Sequence, residues 1–183
     1  LFRENLKIEE RVLGPEHPKT LDAKDKLAGF LKKQGENDEA EILYRETLKT
    51  RERVLGRDHQ HTFISMDNLA LLLLDKGEID EAEILFRENL KIEERVLGTD
   101  HIFTLNTKNN LALLLIDKGE NNKAEILFRE NLKIEERVLG PEHPSTLVSK
   151  HNLAGFLKKQ GENDKAEILY RETLKIEERV LGR

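Results

Sequence analysis

One stretch of fourteen residues, LFRENLKIEERVLG, occurs three times without change, and this repetition limits the fold more than any other feature. The unchanged copies occupy residues 1–14, 85–98 and 127–140, and two close variants occupy 43–56 and 169–182. A fixed period between about 20 and 50 residues is typical of stacked repeats rather than of a globule with a single core. The copies end at glycines spaced 42 residues apart: Gly14, Gly56, Gly98, Gly140 and Gly182.

Each period predicts two helices. In the repeat at 15–56, apolar residues follow helical spacing over about 18–34, and Gly35 is predicted to end this first helix as a left-handed cap. The second helix is the repeated stretch itself, and Asp38, which lies three residues before Glu41, predicts a capping box at its start. Two such helices joined by a short turn form an antiparallel hairpin, which buries its apolar faces against the next copy.

Alanines recur in both helices at the same period. Since a small side chain lets two backbones approach, these positions indicate where neighbouring helices pack most closely. The recurring alanines are Ala28, Ala70, Ala112 and Ala154 in the first helices and Ala40, Ala82, Ala124 and Ala166 in the second helices.

Composition narrows the class of protein. The 183-residue chain has 37 % charged residues, a net charge of −5 and no cysteine. The acidic balance gives no electrostatic footprint for nucleic acid, and the lack of cysteine removes disulfides and thiolate metal sites. The longest strictly apolar run, 69–74, is too short for a transmembrane helix, which needs about 20 residues. We therefore expect a cytoplasmic protein without nucleic-acid or membrane partners, cofactor or metal.

Three short motifs follow one another in the repeats: HPxTL, NLAxxLxxxG and EAExLxRxxLxxxERVLG. They are clearest in residues 143–182. In these motifs the chain resembles the tetratricopeptide repeat family, in the form found in kinesin light chains, over essentially its whole length. The resemblance implies an all-α fold, a right-handed α-solenoid of stacked antiparallel helix hairpins. We predict one repeat array over 1–183, with a partial leading helix at 1–14 and four hairpins at 15–56, 57–98, 99–140 and 141–182.

The resemblance also implies a binding surface, because in this family the first helices of successive hairpins line a concave groove. Asparagine can donate to and accept from a peptide backbone, and leucines in the groove would form pockets for apolar side chains. In the alternative interpretation, the asparagines bond neighbouring helices and the leucines pack within the stack. The candidate groove residues are Asn68, Leu71, Leu74, Asn109, Asn110, Leu113, Ile116, His151, Asn152 and Lys158.

Other recurring polar residues are interpreted as structural. Glutamates such as Glu93 and Glu135 are assigned to solvated surface. Packed helices lie about 8–10 Å apart, so histidines of successive repeats cannot share a metal ion, and we expect them to fix the turn by hydrogen bonding. The sequence has no phosphate-binding glycine loop or nucleophile motif, so we predict no enzymatic or catalytic residues. The histidines in question are His17, His59, His101 and His143.

Two functions fit these observations. The first is a protein–protein interaction scaffold that binds a peptide or partner helix in the concave groove. The alternative is a structural spacer, or a self-associating segment of a longer repeat protein such as a signalling NTPase sensor array, with no ligand of its own. The last helix favours this alternative, because no hairpin in the chain follows to cover it. We expect end-to-end association, or a parent chain that continues past Arg183, through Ala166, Leu169, Tyr170 and Leu174.

Overall fold

The computed structural model describes residues 1–181, with side chains as far as Arg179, and this range consists of helices joined by short turns. Gly182, predicted to end the last repeat, lies outside the described residues. Within the described part, no helix is both long enough and apolar enough to cross a bilayer. The nine helices of this range are α1 (Phe2–Leu13), α2 (Pro18–Gln34), α3 (Asn37–Leu55), α4 (Gln60–Asp75), α5 (Ile79–Val96), α6 (Ile102–Asp117), α7 (Asn121–Val138), α8 (Pro144–Lys159) and α9 (Asn163–Leu181).

The chain divides into two compact units, and each is a run of helix hairpins. The first unit is Leu1–Val96 and contains α1 to α5, in which each helix packs against the next one along the chain. The second unit begins at Leu97 and contains α6 to α9, which pack in the same sequential way. The odd-numbered helices contain the repeated stretch, so they are the second helices of the hairpins. The prediction of one continuous array over 1–183 stays a prediction.

A histidine N-cap precedes the first helix of each hairpin, and the predicted turn-fixing role of these histidines is confirmed. His17 caps α2, because its Nδ1 accepts a hydrogen bond of 3.2 Å from the backbone N–H of Lys19. Nearby, the Thr20 hydroxyl donates to the carbonyl of Gly14 at 2.8 Å and ties the helix to the preceding turn. The HPxTL motif is therefore a device for starting a helix. Equivalent caps are made by His59, His101 and His143.

The turn between the two helices of a hairpin differs from the prediction in one respect. Gly35 has φ 81° and ψ 5°, so the predicted left-handed cap is confirmed. The predicted capping box is wrong, because α3 has Glu36 at its N-cap and no side chain closes the helix start. Asp38 instead accepts a hydrogen bond of 2.9 Å from Lys76 of the next hairpin. Asp38 is the second residue of α3, inside the helix, and its carboxylate pairs with the next hairpin instead of capping its own helix.

The core of each unit lies between the helices and contains the recurring alanines. Ala28, Ala70, Ala112 and Ala124 are all fully buried, as expected for points of closest helix approach. On the outer side of the second helices, arginine and glutamate four residues apart form ion pairs, such as the 2.6 Å pair between Arg45 and Glu41. Pairs of this kind contribute only a few tenths of a kcal/mol each. The buried apolar contacts between hairpins therefore dominate the stability.

Candidate functional site

In the first unit, the candidate groove residues are Asn68, Leu71 and Leu74 of α4, and all three are partly exposed. Lys32 of α2 lies beside them, because its Nζ donates to the carbonyl of Leu71 at 3.3 Å. The same Nζ forms an ion pair of 2.9 Å with Asp75. The open side of α4 thus carries apolar and amide groups, with a fixed charge pair at its end.

In the second unit, α6 contributes Asn110, Leu113 and Ile116. Asn110 and Ile116 are partly exposed, and Leu113 has 37 % of its surface exposed. Asn152 of α8 is partly exposed as well. These residues occupy the same positions in their helices as the candidates on α4.

The asparagines of the candidate set divide into two kinds. Asn109 is 7 % exposed, and its amide nitrogen donates to the Ser149 hydroxyl at 2.5 Å, so it lies inside the helix packing instead of on an open face. In contrast, within the described part of the chain, the side-chain amides of Asn68, Asn110 and Asn152 have no hydrogen-bond partner in the protein. Of the two interpretations of the asparagines, bonding within the stack fits Asn109, and an open surface fits the other three.

The remaining two candidates lie next to the last helix. The ring of His151 meets the ring of Tyr170 edge to face, with centroids 5.0 Å apart. Lys158 lines a pocket of about 280 Å³ together with Ala166, Tyr170 and Leu174. The structure therefore groups His151 and Lys158 with residues predicted to form the association surface.

A cluster of buried charges in the first unit was not anticipated from the sequence. Arg51 of α3 is 2 % exposed. Its guanidinium donates to Asp22 at 2.7 Å and to Asp25 at 2.5 Å on α2, and to the Ser65 hydroxyl at 2.7 Å on α4. Burial raises the pKa of Asp25 above its ordinary value, and the charge of Arg51 opposes this shift. One arginine thus links three successive helices.

The second unit has a glutamate at the equivalent place. Glu135 of α7 is fully buried, and the amides of Asn109 and Asn131 both donate to its Oε1 at 3.5 Å. Burial raises the pKa of Glu135 to about 7, although hydrogen bonds with Ser149 and Asn109 lower it. Glu93 of α5 is also 1 % exposed. The assignment of Glu93 and Glu135 to solvated surface is therefore wrong.

A signal for these buried residues is present in the helical spacing. In α5 the buried positions are Ala82, Phe86, Asn89 and Glu93, which follow one another at intervals of four, three and four residues. This spacing keeps all four side chains on one face of a helix. The position of Glu93 on this helix face, and not its residue type, therefore identifies it as buried.

The histidines serve as helix caps in the structure. The rings of His59 and His61 stack with centroids 5.4 Å apart, while His59 caps α4. In the part of the chain that the structure describes, no group of three or more histidine, aspartate and glutamate side chains is arranged to hold a metal ion.

The sequence matches a family model described as tetratricopeptide repeat, at residues 20–92, 64–134 and 103–179. These overlapping matches cover most of the chain and include every hairpin described above. Among curated proteins, none matches the chain significantly in sequence.

Solved structures share the fold. Two structures of a Podosopora anserina protein described as a kinesin light chain with nearly identical TPR-like repeats are each 25 % identical to the chain. They have TM-scores of 0.79 and 0.75 and cover 100 % and 98 % of this chain and 86 % and 85 % of their own. BtubC from P. vanneervenii, at 21 % identity and a TM-score of 0.79, covers 100 % of this chain and 72 % of its own and shows the same fold. The predicted all-α repeat solenoid is confirmed, and the chain belongs to the tetratricopeptide repeat family in its kinesin-light-chain-like form.

Proposed function

We propose that this protein-interaction scaffold binds a peptide or partner helix on the open faces of its first helices, the predicted groove. One observation carries the proposal. Asn68, Asn110 and Asn152 stand at the same position of α4, α6 and α8, are partly exposed, and have no hydrogen-bond partner among the described residues. An amide that offers both a donor and an acceptor suits the backbone of a bound peptide.

The apolar residues beside these amides support the same proposal. Leu72 and Leu73 of α4 are fully buried, whereas Leu71 and Leu74 on either side of them are partly exposed. The stack therefore gains its apolar contacts from Leu72 and Leu73, and the exposed neighbours are available to a ligand. In α6 the same arrangement recurs with Leu114 and Leu115 buried between Leu113 and Ile116.

A displayed peptide library provides the test. Peptides selected on the full chain should bind the double variant Asn110→Ala, Leu113→Ala at least tenfold more weakly than the unaltered protein. The matched control is Ile126→Ala, which removes an isoleucine that is 57 % exposed on the second helix α7. Equal affinities for the unaltered chain and the double variant, with circular dichroism unchanged, would contradict the proposal.

The alternative, a structural spacer that self-associates through α9, has one observation in its favour. Leu174 is 54 % exposed on the last described helix, although its counterpart Leu48 is 8 % exposed. Sedimentation velocity over a range of concentrations tests this alternative. A dimer that Leu174→Asp abolishes would favour self-association through α9, and a monomer at all concentrations would count against it.

The cytoplasmic location predicted from the lack of cysteine belongs to the proposal as well.

A further inference from the structure

A pocket of about 340 Å³ lies between α7 and α9, with α8 at its bottom, and is named here the α7–α9 pocket. Leu153 and Leu157 of α8 form the bottom and are 2 % and 1 % exposed, whereas Ile168 of α9 is 58 % exposed. None of the lining residues belongs to the candidate groove of the first helices. Besides apolar residues, the lining contains three cations and one carboxylate: Arg129, Lys133, Lys165 and Glu136.

The first unit contains the same set of residues two repeats earlier, with one exchange. Eight of the nine lining residues are identical at the equivalent positions of α3, α4 and α5. The ninth is Lys165, and its equivalent is Glu81. Ile168 and its equivalent Ile84 are each 58 % exposed, so this apolar exposure is common to both units. The chain therefore presents one arrangement of side chains twice, with opposite charge at one position.

In the first unit, the carboxylate of Glu81 joins α5 to α3. Arg45 donates from Nη1 to Glu81 at 2.8 Å and from Nε to Glu41 of its own helix at 2.6 Å. One repeat earlier, Arg3 donates to Glu39 of the next second helix at 2.7 Å. Arg45 thus holds two carboxylates at once, one from its own helix and one from the next second helix.

In the second unit, a cation stands where that second carboxylate would be. Arg129 donates to Glu125 of its own helix at 2.7 Å, which is its only ion-pair partner among the described residues. Lys165 pairs with Glu162 and brings a second positive charge to the pocket. The lining therefore has two more cations than carboxylates, whereas the equivalent residues of the first unit contain as many carboxylates as cations.

We propose that the α7–α9 pocket binds an acidic peptide segment of a partner protein. A carboxylate of the peptide takes the place that Glu81 has in the first unit and accepts hydrogen bonds from Arg129 and Lys165. An apolar side chain next to that carboxylate packs on Ile168.

Charge and exposure both favour this occupant. The one carboxylate of the lining, Glu136, pairs with Lys150 at 2.8 Å and not with Arg129 or Lys165. The cations and Ile168 are exposed, so the pocket does not enclose a small molecule in the way that ligand pockets do. A chain of phosphates would pair with the cations but leave the isoleucine in water. An acidic residue beside an apolar one supplies both a charge-assisted hydrogen bond and an apolar contact.

A displayed peptide library tests the proposal. Peptides are selected on the full chain and then depleted on the double variant Lys123→Glu, Lys165→Glu, because α7 has a lysine at the same position as α9. The surviving peptides should contain aspartate or glutamate next to an apolar residue. Replacing that acid by lysine should weaken binding to the full chain at least tenfold.

Titration calorimetry then counts the peptides bound per chain. Lys165→Glu gives the pocket the lining of the first unit and should remove one site, and Ile168→Asp should do the same. Glu81→Lys gives the first unit the lining of the second and should add one site. The matched control Ile42→Asp, on an isoleucine that is also 58 % exposed, should leave the number unchanged.

Three results would overturn the proposal. These are no peptide that survives the depletion, failure of either charge exchange to change the number of sites, and displacement of the peptide by a single-stranded oligonucleotide of equal affinity. The last result would assign the pocket to a phosphate chain. The variant Asn110→Ala, Leu113→Ala should leave the number of these sites unchanged, so this test and the test of the proposed groove can fail independently. Circular dichroism of each variant shows that folding is retained.

Discussion

Arg51 and Glu135 occupy equivalent positions in two repeats and carry opposite charges. Arg51 is 2 % exposed and Glu135 fully buried, so both were removed from water on folding. Arg51 faces two aspartates on the preceding helix. Glu135 faces the neutral groups of Asn109 and Ser149. The arginine is balanced by opposite charge, and the glutamate is balanced only by hydrogen bonds.

This difference shows that the stack accommodates polar groups of either charge at this position. In the first repeat the preceding helix supplies Asp22 and Asp25, and in the third it supplies Asn106 and Asn109 at the same positions. In these two hairpins, the second helix therefore carries a residue matched to its own first helix. We infer that the buried pairs help to fix which helices pack together, since a mismatched pair would leave a charge buried without a partner.

Removing the arginine should have the largest effect. Arg51→Ala leaves Asp25 partly buried without its partner, and we expect the free energy of unfolding to fall by about 3–5 kcal/mol. Urea denaturation at pH 7 measures the change. Arg53→Ala is the matched control, because Arg53 is exposed and pairs with Glu16, and it should cost less than about 1 kcal/mol. Equal effects of the two substitutions would show that the buried cluster contributes no more to stability than an exposed ion pair.

Neutralising the glutamate should stabilise the protein, with a dependence on pH. The folded-state pKa of about 7 lies above the ordinary glutamate value of 4.5, so the unfolded chain loses its proton first as the pH rises. The contribution of Glu135 to stability therefore falls between about pH 4.5 and 7, by about 3 kcal/mol in total. Glu135→Gln removes this loss and should be more stable than the unaltered chain by that amount at pH 8.

The control separates this group from the other acids. Glu130→Gln changes an exposed glutamate of the same helix and should leave the free energy of unfolding unchanged at pH 4.5 and at pH 8. At pH 4.5 and below, the advantage of Glu135→Gln over the unaltered chain should disappear. An advantage that stays constant from pH 4 to 8 would mean that Glu135 does not titrate in this range.

Sequence reasoning predicted the helices well and the polar interior poorly, for a physical reason. Helix limits depend on local features such as His17, Pro18 and Gly35, and α2 was predicted with its observed bounds. Burial of Glu135 depends on the hydrogen-bond donors that Asn109 and Ser149 bring from two other helices. Because these partners are distant in sequence, reasoning from the glutamate and its neighbours in the chain assigns it to the surface.

The candidate groove shows the same limit on a smaller scale. Asn109 and Asn110 are neighbours in sequence and look equivalent in composition. Successive helix residues point about 100° apart, and here that rotation turns Asn109 inward and Asn110 outward. The family resemblance indicated the correct region of the helix, but the packing of Asn109 against α8 was needed to separate the two.

The outer and middle repeats also differ in a contacting pair of residues, and we expect the two members of the pair to be replaceable only together. Gly29 faces the hydroxyl of Tyr44, and a Cβ built at Gly29 would lie 3.3 Å from it. The middle repeats have leucine with phenylalanine instead, as Leu71 with Phe86. Gly29→Leu should therefore destabilise the protein by about 1–3 kcal/mol through overpacking. Adding Tyr44→Phe should recover at least about 0.5 kcal/mol, measured as the coupling energy of a double-mutant cycle. Strict additivity would show that the two residues are not matched.

The smallest expected effect compares the two glycines of the outer repeats. A Cβ at Gly155 would lie 3.6 Å from the Tyr170 hydroxyl, which is ordinary contact, whereas the 3.3 Å at Gly29 requires Tyr44 to move. Alanine is favoured over glycine inside a helix by about 0.5–1 kcal/mol. Gly155→Ala should therefore raise the free energy of unfolding by about that amount, measured by thermal unfolding. Gly29→Ala should raise it less or not at all. Tyr170 can adjust because it is partly exposed, while Tyr44 is held beneath α4 with 5 % exposure. A gain that is equal at both glycines would mean that the cover over Tyr44 does not restrict its ring.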